Sequence, residues 1–153
     1  MTTENLYLLT SQFRCAIEKA KLNHCFEQDL CFRRFPDDCC GEASELLAQF
    51  LLEKGVETSL VWGWYPGKNC REREAHAWLQ ISDGTILDIT GDQFKNNPEY
   101  GDYDYAAYVG DMDDFHEMFA VEDEDVRKCV RLEELGGAYP RLKDLYKTIL
   151  AYV

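Results

Sequence analysis

The chain has 153 residues, 46% of them apolar and 29% charged, which is enough to bury one core, too apolar for a disordered chain and too often interrupted by polar residues for a transmembrane helix. Sixteen Lys and Arg stand against 29 Asp and Glu, a formal charge of −13. This argues against a general nucleic-acid binder, which needs a basic face, and against docking on anionic lipid, while a solvated acidic surface also serves solubility alone.

The opening MTTENLYLLT has neither a basic region nor a small-residue cleavage site, so no secretory signal is expected. The cysteines are odd in number, seven in all: Cys15, Cys25, Cys31, Cys39, Cys40, Cys70 and Cys129. Without a signal or a CxxC pair they read as free thiols of a cytoplasmic protein.

In chain order, the first element is a helix. Thr3 can cap it, and Leu6, Leu9, Phe13, Ile17 and Ala20 follow at spacings of three and four. Residues 24–36 read as irregular and aromatic. A second helix is expected from Cys39 or Cys40, with Asp37 and Asp38 as cap candidates. Leu46, Leu47, Phe50 and Leu51 form its apolar stripe, and Lys54-Gly55 stops it. The period then changes to two. Residues 58–64 predict a strand ended by Tyr65-Pro66-Gly67, and 68–74 a polar connection. Residues 74–81 and 85–90 predict two strands around Ser82-Asp83-Gly84. Residues 95–115 are rich in turn formers. Short helices are expected around 113–120 and 122–135, and a closing helix after Pro140 with Leu142, Leu145, Ile149 and Leu150 on one face. This order predicts one α+β domain over residues 1–153, an antiparallel sheet packed on the early helix that bears the cysteine, with further helices at both ends.

Three signals in this order point to chemistry: a cysteine opening a helix (CCGEASELLAQFLLEKG), a histidine in a strand (AHAWLQI) and an aspartate in the next strand (TILDIT). A helix N-terminus favours a thiolate, a histidine can take and return the proton, and a carboxylate on the other ring nitrogen orients the ring and favours its imidazolium. Whether His76 and Asp88 can meet depends on the loop between them. A two-residue turn at Asp83-Gly84 sets Leu79 opposite Asp88 and puts Asp88 on the wrong face. A three-residue loop, with Gly84 left-handed, sets Trp78 opposite Asp88 and brings His76 and Asp88 to one face as diagonal neighbours. Trp62, Trp64 and Trp78 read as core or cleft wall. Cys25-x5-Cys31 beside His24 lacks zinc spacing, and His116-Glu117 lacks the second histidine of a zincin. No phosphate loop or dinucleotide fingerprint occurs, so neither a metal nor a cofactor is expected.

Residues 36–94 resemble the transglutaminase-like branch of the papain-like cysteine enzymes. The elements that carry the resemblance are Cys40 at a helix start, Ser44 four positions on, the Leu47-x-x-Phe50-Leu51 stripe, Gly55, His76-Ala77-Trp78 and Asp88-Ile89-Thr90. Counting from Cys39 misses both Ser44 and Gly55 by one, so the resemblance selects Cys40. Gly41 departs from it, standing where the family usually has an aromatic. The resemblance implies a Cys40–His76–Asp88 triad and acyl chemistry on the amide of a peptide or protein: hydrolysis, glutamine deamidation or acyl transfer. Hydrolysis ranks first, since no second, amine-binding site is visible in the sequence. Gln28, Gln80, Gln93 and the Cys40 backbone N–H are the candidate oxyanion donors. The alternative is a noncatalytic interaction, immunity or adaptor module on the same fold.

Overall fold

The computed structural model describes residues 1–65 and 74–153; the expectations placed on 66–73, Cys70 among them, lie outside those residues. Among the described residues there are four α-helices, α1 (Thr3–Leu22), α2 (Cys40–Glu53), α3 (Asp114–Glu117) and α4 (Tyr139–Leu150), and five strands, β1 (Ser59–Tyr65), β2 (Glu74–Gln80), β3 (Ile86–Asp88), β4 (Tyr108–Gly110) and β5 (Val126–Lys128). The strands form one sheet in the order β4-β3-β2-β1-β5, every neighbouring pair antiparallel.

The helices form where the apolar spacing demands them. On α1, Leu6, Phe13, Ile17 and Ala20 are buried. Its cap is Thr2 rather than Thr3, the Thr2 hydroxyl accepting from the Asn5 N–H at 3.2 Å. The α2 stripe of Leu46, Leu47, Phe50 and Leu51 is buried whole, and Phe13 stacks on Phe50 at 5.1 Å. On α4, Leu142, Leu145, Tyr146 and Ile149 are buried, while Leu150 stays partly exposed.

The sheet is covered on both sides. Leu60, Ala77, Leu79, Leu87 and Ile89 join the core beneath α1, α2 and α4. Val61, Trp78 and Ile86 face a second, aromatic layer of Phe94, Tyr100, Tyr103, Phe115 and Phe119. Burial on both faces is why β2 and β3 read as nearly continuous apolar runs.

Two strands lie where none is expected. β4 falls in the turn-rich stretch. β5 interrupts the helix expected over 122–135, between a 3-10 turn at Asp123–Asp125 and another at Leu132–Ala138. All three β5 residues are exposed and pair only with the outer edge of β1, so no burial imposes an alternating pattern on them. Neither Asp37 nor Asp38 caps α2. Its N-cap is Cys39, with no side-chain cap bond, and Asp38 is left-handed (φ 58°) and paired with Arg34 at 2.8 Å.

The β2–β3 loop has the three-residue form. Ile81 N–H donates to Thr85 O and Gly84 N–H to Ile81 O, each at 3.0 Å, with Gly84 at φ 92°. Leu79 pairs with Leu87 and Gln80 with Ile86, a register that carries on to Trp78 opposite Asp88. Among the described residues no helix is long and apolar enough to cross a membrane, and Cys15, Cys25, Cys31, Cys39, Cys40 and Cys129 are free thiols.

Candidate active site

Cys40 is the first residue of α2, and the first intrahelical bond of that helix runs from Ala43 N–H to Cys39 O at 2.8 Å. The N–H groups of Cys40, Gly41 and Glu42 therefore have no partner within the helix, and their dipoles point out of its N-terminus. Cys40 lines a cleft of about 580 Å³ together with Trp62, Gln93, Phe94 and the acidic rim residues Asp37, Asp38 and Glu74. A second cleft of about 420 Å³ opens on its other side, against Glu42, Leu60, Arg127 and Leu142. Cys40, Trp62 and Asp38 border both, so the thiol sits on the saddle between two recesses.

Gly41 explains the missing aromatic. A Cβ at this position would lie 2.6 Å from Cζ2 of Trp62. The indole from β1 already occupies the space over the helix start, and only glycine lets the two approach.

His76 is fully buried, and its two ring nitrogens have different partners. Nε2 lies 2.7 Å from Asp88 Oδ2. Nδ1 faces the Gln93 amide at 3.3 Å, and the Cys40 side chain is close enough to the ring to act on its charge. Burial disfavours the imidazolium, but the charge and hydrogen bond of Asp88, followed by the Cys40 hydrogen bond and charge, outweigh it and raise the His76 pKa to about 10. Asp88 is also buried. Its Oδ1 accepts from the Thr90 N–H at 2.9 Å. Burial pushes its carboxyl up, yet the charge and hydrogen bonds of the two histidines around it hold it well below the usual carboxylate range.

The second of those histidines is one that spacing did not single out. His116 Nε2 lies 2.8 Å from the same Asp88 Oδ2, and His116 Nδ1 lies 2.6 Å from Asp113 Oδ1. Asp113 caps α3 by accepting from the His116 N–H at 2.8 Å. The local sign of this unit is the Asp-x-x-His spacing across a helix start; nothing local points from it to Asp88, which is 28 residues away. His76, Asp88 and His116 form a three-residue cluster of metal-ligand type. Their 2.7 and 2.8 Å separations are hydrogen-bond distances, shorter than the edge of about 3.3 Å that metal–ligand bonds of 2.0–2.1 Å give in a tetrahedron.

No protein-family model matches the chain, and neither a curated protein nor a solved structure matches it.

The remaining candidates separate by position. Gln93 lines the Cys40 cleft and donates to Thr90 O at 3.1 Å, so of the three glutamines it is the one beside the thiol. Gln28 is exposed on the turn after α1. Gln80 ends β2, four residues from His76, and borders a different recess beside Ser59 and Lys128. At about 3.3 Å per residue it is too far along the strand to serve Cys40. Trp78 is a core residue rather than a cleft wall: it is 1% exposed and stands edge-on to His116 at 4.9 Å. Cys39 is poorly placed to act as a thiolate. Burial, then the nearby Cys40, Cys31, Glu42 and Asp37, push its thiol far up.

The loop carrying Gln93 is anchored from behind. Arg14 of α1 is buried and makes two 2.7 Å bonds to the Asp92 carboxylate, one 2.6 Å bond to Ile89 O and one 3.1 Å bond to Ala106 O. This bidentate pair fixes the segment between Asp88 and Gln93.

Proposed function

We propose that the chain is a thiol-dependent acyl enzyme of transglutaminase-like, papain-like type, acting on an amide of a peptide or protein through Cys40, His76 and Asp88. The observation that supports it best is the Asp88–His76 hydrogen bond beside a cysteine at a helix N-terminus, open to a cleft.

The roles follow from the geometry. The Cys40 sulfur attacks the amide carbonyl carbon and a C–S bond forms. Negative charge collects on the carbonyl oxygen, beside the uncapped N–H groups of the first turn of α2 and the Gln93 amide. The C–N bond then breaks as His76 passes its Nδ1 proton to the leaving nitrogen. Asp88 stays ionised on Nε2 and keeps the proton-transferring nitrogen toward the sulfur. Attack on the thioester by water gives hydrolysis, or deamidation where the amide is a glutamine side chain; attack by an amine gives acyl transfer. His76 accepts the proton of that second nucleophile and the Cys40 thiolate leaves. Hydrolysis remains first. The recesses on either side of Cys40 suit a peptide that runs across the thiol, acyl part on one side and leaving amine on the other.

A peptide electrophile, such as a glutamine-containing vinyl sulfone, tests this at near-neutral pH with mass mapping of the adduct. The expected result is one adduct on Cys40, formed far faster than on exposed Cys15 and Cys25 and lost in His76→Ala. Labelling of Cys15 and Cys25 with Cys40 silent would overturn the proposal in favour of the interaction-module reading.

A further inference from the structure

We propose that His116 is a positioning residue, held as an imidazolium between Asp113 and Asp88, whose positive charge offsets that of Asp88 so that His76 can release its proton as well as bind it. This rests on the Cys40–His76–Asp88 reading above.

The argument is one of donors and acceptors. A neutral imidazole has one N–H and one lone pair, whereas an imidazolium has two N–H groups. His116 has a carboxylate oxygen at each ring nitrogen, Asp88 Oδ2 at 2.8 Å and Asp113 Oδ1 at 2.6 Å. A neutral ring would press a lone pair against one of them. Protonating a carboxyl instead does not fit the other partners. Asp113 also accepts from the His116 N–H and, at 3.1 Å, from the Tyr103 hydroxyl. Asp88 also accepts from Thr90 N–H and His76. Every neighbour donates to these two carboxyls, so both are ionised and the ring between them carries two protons. Charge then alternates along the chain while His76 holds its proton: Asp113 negative, His116 positive, Asp88 negative, His76 positive.

Among the described residues packed on His116, β3 contributes Asp88, the cap of α3 contributes Asp113, and β2 contributes His76 and Trp78. β4 contributes Tyr108, and the segment before it Tyr103, with ring centroids 5.4 and 5.9 Å from His116. Burial first, then neighbouring carboxylates, push both tyrosines up, so they stay neutral. Burial opposes the charge on His116 itself, but the hydrogen bonds to Asp113 and Asp88 outweigh it and shift the ring upward.

The consequence falls on His76. The two histidines share one oxygen of Asp88, and their ring centroids lie 6.2 Å apart. At an effective dielectric of 20, a like charge at that distance lowers the His76 titration by about two pH units. Asp88 without this partner would hold the His76 proton more tightly and slow its transfer to a leaving nitrogen.

Ring-nitrogen NMR of labelled histidine tests this without substrate, in the wild type, Asp113→Asn and His116→Gln. Asn caps a helix as well as Asp, so Asp113→Asn should keep α3 while removing the charge that holds His116 protonated. The wild type should show both His116 nitrogens protonated from pH 5 to 9. Asp113→Asn should make His116 titrate within that window and move the His76 midpoint up by about one to two units. The alkaline limb of Cys40 alkylation should move with it. A neutral His116 in the wild type, or an unmoved His76 midpoint in a natively folded Asp113→Asn, would overturn the proposal, even if His116→Gln does not fold. An unreactive Cys40 would sink the proposed function but leave these titrations readable, so the two failures are distinguishable.

Discussion

On the helical face of the sheet, Phe13, Ile17, Leu46, Leu47 and Phe50 meet through regular spacing on α1 and α2, and the buried charges of those helices, Arg14 and Glu45, are paired with Asp92 and Arg127. On the opposite face, Phe94, Tyr103, Phe115 and Phe119 close around His76, Asp88 and His116, all three with side chains no more than 1% exposed. The first region derives its stability from apolar area and shape. The second keeps ionised groups out of water and must satisfy each by a named donor or acceptor, because an unpaired buried charge is far more costly than a small cavity. Cys40 lies where the two meet: its backbone starts the helix of one region, and it lines a cleft with Gln93 and Phe94 of the other.

Substitutions should separate the two regions. The largest effect expected is on chemistry alone. Cys40→Ala should abolish acyl turnover, a loss on the order of a million-fold, with native thermal unfolding retained. Cys39→Ala should stay active. The reverse pattern in a turnover assay would mean that the thiol has been assigned to the wrong position. Next comes Asp88→Asn, which should slow turnover by up to about four orders of magnitude, as for the corresponding change in a serine triad. Because Asp88 is buried and holds both histidines, the same change should also lower the melting temperature. Retention of both rate and stability would remove Asp88 from the site.

Phe50→Ala should cost about 3–5 kcal/mol in denaturant unfolding, yet leave the His76 titration of the folded molecules unchanged. A shifted His76 would show that the two regions are not separable. Arg14→Met bridges them. It strands the Asp92 carboxylate and should cost about 3–5 kcal/mol, and it should also slow Cys40 labelling in the folded fraction by loosening the Gln93 segment. Unchanged labelling would confine Arg14 to stability.

The smallest effect expected is on pH. His76 and His116 have folded pKa values raised above the free value of about 6.5, His76 to about 10. The folded state therefore binds more protons than the unfolded state above that point. Their stabilisation is complete below about pH 6.5 and is lost as pH rises toward 10. Asp88, depressed, contributes above about pH 3.9 and loses that contribution as pH falls further. Melting temperature should thus be highest between about pH 4 and 6.5 and fall on the alkaline side. A flat alkaline profile would mean that the two rings are neutral in the folded state.

Much of the helical region was legible, since spacing along α1, α2 and α4 is a local property of the chain and names the buried residues directly. The register of β2 and β3 was legible only as a choice between two loops around Gly84, and the hydrogen bonds of the three-residue form decided which face Asp88 takes. β4 and β5 were not. Each is three residues long, and each takes its strand geometry from a neighbour rather than from its own pattern. Gln28, Gln80 and Gln93 were equivalent in the sequence; only the fold puts one of them beside Cys40.

The sequence by itself determined the elements whose cause is local: two long amphipathic helices, a helix opening at Cys39 or Cys40, and a hairpin around Ser82-Asp83-Gly84 with a choice of two registers. Tertiary structure alone decided that Trp62 would fill the space over Gly41, that Arg14 would reach Asp92, and that His116 would join Asp88 from the far side. The physical reason is sequence separation. Periodicity and turn geometry act over a few residues, whereas a buried carboxylate accepts any donor that packing brings to it, and the chain carries no local mark of that partner.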